Sequence, residues 1–299
     1  MNIVSSSSGT LALLLSNTLL SAYPILIKMY ADSVSLSVQV LIRMAVYIGL
    51  TVPVLVLGGH AGQMAAALVS PKFLAISAVN LLHIYSSYKG FTYLNAGVSM
   101  TTFYSYPIIQ VVLSSIFLQT RLTLGVLSNL LGCFLGLVVL NANTYRTGGP
   151  SVNVSKGLGF IALAALTEAI IGVFYKHVNF KNPFMSLFTL YAPVGLLCLL
   201  LAAVAWKGKE KGEEKGEEKG KSNIWKIVLF NVLIGGVGYL LRLFALTHIP
   251  LAWFSGLLFT SSVSAFVLGY LFLKERIRPE HWLGTMVIFY NIYKLKNNI

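Results

Sequence analysis

The chain is expected to fold as an all-α integral membrane protein of ten transmembrane helices in two inverted five-helix repeats. Three observations predict this. Of 299 residues, 56% are hydrophobic and only 10% are charged, and the mean hydropathy is +0.77; a soluble protein of this size needs far more charged surface. Long stretches carry no Asp, Glu, Lys or Arg at all, namely Thr10–Ile27, Gly90–Thr120, Leu122–Tyr145, Asn182–Trp206 and Leu243–Leu273, and a helix needs about 20 apolar residues to cross the hydrocarbon. The second half also repeats the first. Val112-Leu113, Phe117-Leu118 and Arg121 recur 155 positions later as Val267-Leu268, Phe272-Leu273 and Arg276, and Gly9 through Lys28 matches Gly157 through Lys176 at a spacing of 148.

The spans fall at about 10–28, 35–57, 73–93, 95–118, 122–142, 157–176, 184–206, 225–247, 250–273 and 280–295. Helices are required because a segment in lipid must satisfy its own backbone hydrogen bonds; the runs are continuous rather than the alternating ~10-residue segments of a β-barrel. An odd number of spans per repeat turns the second copy upside down, with residues 1–146 forming the first repeat and 147–299 the second.

Span one keeps its place as a span rather than a cleaved signal, because Met1 to Gly9 has no basic side chain ahead of the apolar run. Asn17, Ser21, Pro24 and Lys28 share one face of it, and Pro24 loosens backbone bonding where a gate would need it. Span two carries Gln39 and Arg43, the latter on the order of 12 Å deep at 1.5 Å per residue. Span three shows a polar stripe of Ser77, Asn80, His83 and Ser87, with Lys89 pointing away from it. A lone histidine on an apolar span reads first as a satisfied core residue, and second as a ligand or proton carrier. Span four carries Ser99, Thr102, Tyr106 and Gln110 on one face.

Span five holds Cys133 and span seven Cys198, both inside helices, so no disulfide framework is expected. Span six carries Glu168, Gly172 and Tyr175, with Glu168 on the order of 16 Å deep. Residues 207–223 should be a disordered, charged loop, because Lys207–Lys221 repeats a Lys-Gly-Glu-Glu unit that can bury no apolar face. In span eight, Asn231, Gly235, Gly238 and Arg242 form one narrow stripe, which turns Arg242 inward. Lys89 and Arg242 occupy matching places in the two repeats, aligned through Phe91 and Phe244, and form a candidate pair of gate cations; the plainer account is that each reaches headgroups from a helix end. Tyr85, Tyr104 and Tyr239 lie deep enough to offer hydroxyls or ring faces to a solute.

The formal net charge of +13 does not point to nucleic acid, because the bases bracket the spans, where Lys and Arg snorkel to lipid headgroups. Membrane lipids and a small-molecule solute are the expected partners. Loop charges are too evenly divided to orient the chain, but ten spans place both termini on one side.

The turn Leu273-Lys274-Glu275-Arg276 followed by Trp282-Leu283-Gly284, with Pro107 in span four and Leu41-Ile42-Arg43 in span two, resembles the EamA-like branch of the drug/metabolite transporter superfamily. The first copy reads Thr120-Arg121 and Asn129, so it lacks the acidic residue and the glycine. The resemblance spans essentially the whole chain. It implies two five-helix repeats, transport without catalysis, cytoplasmic termini and a homodimer contact through spans five and ten. The Gly-Ala-Leu-Asn-Lys signature of nucleotide-sugar carriers and the adjacent Lys-Arg pair of phosphate translocators are both missing.

The expected function is a secondary carrier working by alternating access around a midplane site. Deep ionic side chains cost about 2.5–3.5 kcal/mol each on insertion scales, so Arg43, Glu168 and Arg242 call for an explanation. It is either a solute or proton site or a structural ion pair between Arg43 and Glu168. Arg43 and Arg242 would hold an anionic or zwitterionic solute (an amino acid, a carboxylate, or a phosphorylated or nucleotide-sugar-type metabolite) through their planar donor forks. Asn17, Gln39, Asn80, His83, Tyr106, Gln110, Tyr175, Asn231 and Tyr239 would line the site. Glu168 would couple a proton, since a desolvated carboxylate titrates toward neutral pH. No metal and no cofactor is expected. The carrier would be proton-coupled or an exchanger. The alternative is a channel-like or non-transporting membrane protein of the same fold, against which stand two quasi-equivalent halves with polar stripes at mid-depth. An enzyme is disfavoured by the absence of His-Glu-x-x-His, His-x4-Asp and Gly-x-Ser-x-Gly.

Overall fold

The computed structural model describes residues 3–23, 30, 33–94, 96–142, 153–207, 217–273 and 278–299. Among these residues it is helical, without strands. The helices are α1 (Ile3–Leu20), α2 (Leu36–Leu57), α3 (Ala61–Val69), α4 (Pro71–Tyr93), α5 (Ala96–Phe103), α6 (Tyr106–Phe117), α7 (Leu124–Leu140), α8 (Val154–Val178), α9 (Pro183–Lys207), α10 (Glu217–Phe230), α11 (Val237–His248), α12 (Leu251–Leu258), α13 (Thr260–Leu273) and α14 (Pro279–Lys296). Their ends carry local stop and start signals. Ser35, Thr123 and Asn153 accept backbone N–H groups at the starts of α2, α7 and α8, prolines open α4 and α14, and Asn179 ends α8 in the left-handed region at φ 52°.

Six helices are long and apolar enough to cross a membrane alone: Leu36–Leu57, Val98–Phe117, Val154–Val178, Pro183–Val204, Asn223–His248 and Leu251–Leu268. A seventh is the pair Ala61–Val69 and Pro71–Tyr93, bent by 75° at its break, and Ser7–Leu20 and Leu124–Leu140 are shorter apolar helices. Every expected span thus contains helix. The segment between spans two and three differs from the short loop expected there, because Ala61–Val69 is apolar enough to form α3 before Pro71 restarts the chain. Residues 208–216, in the middle of the expected charged loop, lie outside the described residues, but Lys207 ends α9 and helix resumes at Glu217, narrowing that loop from both sides.

Besides that bent pair, three spans are irregular among the described residues. The fourth breaks between α5 and α6, ahead of Pro107, and the ninth breaks at Phe259 between α12 and α13. The eighth carries a π-helical segment, Asn231–Gly236, between α10 and α11, a form that costs hydrogen-bond geometry and gathers at functional sites.

The packing obeys an exchange of the two repeats. α1 packs on α11 as α8 packs on α4; α2 packs on α9 and α7 on α14. Matched glycines make matched approaches: Gly9 lies against Ile249 and His248, and its counterpart Gly157 against Leu94 and Tyr93. Such close contacts between small residues and facing helices are what drives association when lipid is as apolar as leucine. Polarity runs inside out. Leu57, Leu135, Leu200, Val204, Leu229 and Phe289 are exposed, while Asn17, Gln39, Arg43, Asn80, His83, Gln110, Glu168 and Asn231 are buried. A protein whose solvent is hydrocarbon is expected to be arranged this way.

Candidate functional site

The polar interior resolves into two joined clusters around one small cavity. The cavity has a volume of about 60 Å³ and is walled by Tyr23, Arg43, His83, Ser87, Tyr88, Phe91, Met100, Phe103, Tyr104, Tyr239 and Arg242, with Leu20. From the first repeat, these residues come from the C-terminal ends of spans one and three and the N-terminal ends of spans two and four. All four of those ends face away from the chain termini, whereas Tyr239 and Arg242 come from the C-terminal half of span eight, which runs toward the termini side, so the cavity straddles the middle of the bundle.

The first cluster is built on Arg43, only 3% exposed. Its guanidinium carbon lies 4.8 Å from the ring centres of Tyr23 and Tyr239, 5.5 Å from Tyr47 and 5.8 Å from Tyr191. Its Nε donates to the Tyr191 hydroxyl at 3.0 Å, and its buried Nη2 has no hydrogen-bond partner. The cage is held from behind: the Tyr23 hydroxyl donates to Asn231 Oδ1 at 2.7 Å and stands 2.7 Å from the Tyr47 hydroxyl, while Tyr47 and Tyr191 meet edge to face at 4.6 Å. Ring faces stabilise a cation by about 0.5–2 kcal/mol each without neutralising it, so Arg43 keeps its charge. Among the described residues no carboxylate pairs with it, so the Arg43–Glu168 ion pair, the structural alternative to a solute site, is not formed.

The carboxylate goes instead to the second cluster. Glu168 Oε1 takes Arg242 Nη2 at 2.8 Å and Oε2 lies 3.3 Å from His83 Nε2, with the carboxylate side chain 7% exposed. Arg242 also donates to the Tyr106 hydroxyl, and its guanidinium stands 5.5 Å over that ring. His83 Nδ1 lies 3.0 Å from the Ala164 carbonyl. Three helices, α4, α8 and α11, are tied together here. The inward stripe read for span eight is what the structure places at the cavity: Asn231 on the π segment behind Tyr23, then Tyr239 and Arg242 at the wall.

Several residues expected to line the site serve helix contacts instead. Asn17 donates to the Leu257 carbonyl at 2.8 Å and the Thr260 hydroxyl at 2.9 Å, bracing the break of the ninth span. Gln39 donates to the Val34 carbonyl at 2.9 Å, Asn80 to the Leu190 carbonyl at 3.2 Å, and Tyr175 meets the Thr189 hydroxyl at 2.9 Å. Gln110 is buried against Gly172, with its Nε2 unpartnered. Lys89 is half-buried near the end of α4 and is not among the lining residues, and Tyr85 is 40% exposed on the outer surface. Pro24, the other gate candidate, lies outside the described residues.

Sequence reading missed Tyr23, Tyr47 and Tyr191. A signal for the last was present: Tyr191 stands 148 positions after Arg43, the spacing that relates Gly9 to Gly157. Because spans two and seven pack on each other, residues matched by the repeat meet at the middle. No cluster of three or more His, Cys, Asp or Glu able to hold a metal occurs among the described residues.

The model of the EamA-like transporter family matches residues 7–142 and 155–294, two copies in one chain. No protein with a curated description matches. Among solved structures, 29 chains match. One, titled only as the crystal structure of a protein, is 13% identical with a TM-score of 0.75 over 98% of this chain and 97% of that one; at that identity the likeness shows the fold alone.

Proposed function

Because the chain belongs to the EamA-like transporter family, membrane transporters of the drug/metabolite type, we propose that it carries a small organic anion across the membrane by alternating access, holding the anionic group on Arg43. One observation carries this reading: a buried guanidinium with an unpaired Nη2 at the wall of a partly open cavity. Leaving a charged donor buried without a counter-ion costs several kcal/mol, and an arriving carboxylate or phosphate would remove that cost. Arg242 is already matched by Glu168, so it shapes the field and orients Tyr106 rather than offering a second free cation. The ring-lined walls suit a solute with an aromatic or apolar body. A zwitterion would find no free carboxylate for its ammonium among the described lining residues, and this favours anions.

The cavity of about 60 Å³ has room for a few waters, against ~300–1,000 Å³ for typical small-molecule sites. To take a whole solute it must widen, and Tyr23, Tyr88 and Tyr104 in its wall are the residues that would part. A charge-paired, ring-packed interior also lacks the continuous wet path of a channel. The test is uptake into proteoliposomes of a panel of carboxylates, amino acids and phosphorylated metabolites. Arg43→Gln should weaken the apparent affinity for the accepted solute by about 10- to 100-fold, the worth of one to two charge-assisted hydrogen bonds. Undiminished uptake in this variant removes the Arg43 assignment.

A further inference from the structure

We propose that His83 and Glu168 together hold one exchangeable proton, and that this proton travels with the anion as a symported ion. The inference rests on the anion-carrier reading for its direction, but the site for the proton is given by geometry. A backbone carbonyl can only accept, so the 3.0 Å contact of His83 Nδ1 with the Ala164 carbonyl puts a hydrogen on Nδ1. A neutral imidazole then shows a lone pair at Nε2. That lone pair faces Glu168 Oε2 at 3.3 Å, the arrangement in which one proton can be shared between the two groups. When protonated, the pair is imidazolium with carboxylate, or imidazole with carboxylic acid; both hold one proton that the bare pair lacks.

The surroundings give that proton a partner. The groups facing the pair are Arg242 and Tyr239 from α11, Arg43 from α2, Tyr106 at the start of α6 and Tyr104 just before it, and Phe103, whose ring centre lies 6.0 Å from that of His83. Glu168 is the only acid among them. With the proton absent, two guanidinium charges and one carboxylate leave a single positive charge. The proton adds a second, and a monoanion on Arg43 cancels it again. The empty, deprotonated carrier and the loaded, protonated carrier thus bury the same charge, whereas either ligand alone changes it. Opposite charges in a low-dielectric interior favour each other's binding, and by linkage the anion raises proton affinity by the factor through which the proton raises anion affinity. His83 and Arg242 both line the cavity, whose few waters would connect the pair to the bulk when the site opens. This replaces the expectation of a lone desolvated Glu168: Arg242 holds the carboxylate, and the histidine makes the proton site.

Two measurements test the proposal. Infrared difference spectra of purified protein in nanodiscs, taken from about pH 4 to pH 9, should show carboxyl and imidazole bands that titrate together. Glu168→Gln should remove the carboxyl band and His83→Gln should move its midpoint. Proteoliposomes containing a pH dye are then given benzenesulfonate, a permanent anion with no proton of its own to deliver. Wild type should move about one proton per benzenesulfonate, and in His83→Gln that ratio should fall at least fivefold for whatever uptake remains. Benzenesulfonate uptake without lumenal acidification overturns the proton while leaving the carrier standing. No benzenesulfonate uptake at all counts against the anion reading, and the spectra then decide alone: bands invariant with pH, or unmoved by His83→Gln, overturn the pair, and a shifted midpoint supports it. Should Glu168→Gln fail to fold, His83→Gln carries both measurements.

Discussion

At the scale of single residues, the interior is held by how charges are matched. Glu168 and Arg242 satisfy each other at 2.8 Å, so breaking one partner leaves the other buried and alone, at a cost of about 3–5 kcal/mol. Glu168→Leu and Arg242→Leu should each lower the thermal-unfolding midpoint in detergent sharply, and the double variant should recover much of the loss, because it leaves no orphaned charge. A double variant no better than the worse single one would mean that the pair acts independently. Which residues were ionic and deep was legible in the sequence, since apolar runs make Arg43, Glu168 and Arg242 conspicuous. Their pairing was not. Helical phase says which way a side chain points on its own helix, but the choice of Arg242 over Arg43 as partner for Glu168 depends on the distance between helices α8, α2 and α11. For the same reason Asn17, Gln39, Asn80 and Tyr175 read as lining residues, although each hydrogen-bonds elsewhere.

At the scale of elements, irregular backbone sits where the site needs it. The π segment Asn231–Gly236 turns Asn231 onto Tyr23, and a Cβ at Gly235 would collide with the Tyr23 and Tyr47 hydroxyls that close the arginine cage. Gly235→Ala should destabilise by about 1–3 kcal/mol as overpacking does and should also weaken solute affinity, read as a raised KM with the folded fraction corrected by melting. An unchanged KM would separate the segment from the site. Spans five and ten meet along glycines: a Cβ on Gly284 would lie 2.6 Å from the Gly136 carbonyl oxygen. Gly284→Leu should therefore force α7 and α14 apart and lower the melting temperature, with Gly159→Leu, where a Cβ meets open space, as the neutral control. The spans themselves were readable from uncharged length. The π segment, the break at Phe259 and helix α3 were not, because each depends on what the neighbouring helix offers to hydrogen-bond or pack against.

At the scale of the whole molecule, the two repeats exchange packing partners. The first-repeat wall of the cavity lies toward the side away from the termini, and Tyr239 and Arg242 close it from the other half. On the termini side Lys176 Nζ donates to the carbonyls of Leu246 and Ile249 at 2.9 and 2.7 Å, a cation on the C-terminal end of α11 where the helix dipole favours it. Its repeat counterpart Lys28 lies outside the described residues. A cysteine placed at Ser87, which lines the cavity, should react with a membrane-impermeant thiol reagent added from the side opposite the termini and not from the other. Adding Lys176→Ala removes the tie to the Leu246 and Ile249 carbonyls and should raise labelling from the termini side. Equal labelling of Ser87→Cys from both sides would contradict the one-sided access.

The sequence by itself determined the solvent, the class of fold and the doubling of the chain. Hydrocarbon imposes its rules residue by residue: apolar length, excluded charge and internally satisfied backbone are all visible along a line. The spacing that relates the copies is visible in the same way. Only the tertiary structure decided which deep charges neutralise each other, because partnership between ions is set by separations of about 3 Å, here between Glu168 and Arg242, 74 positions apart in the chain. Arg43 enclosed by four tyrosines, and the contact of His83 with Glu168, exist only once spans two and seven cross and spans three, six and eight close around them.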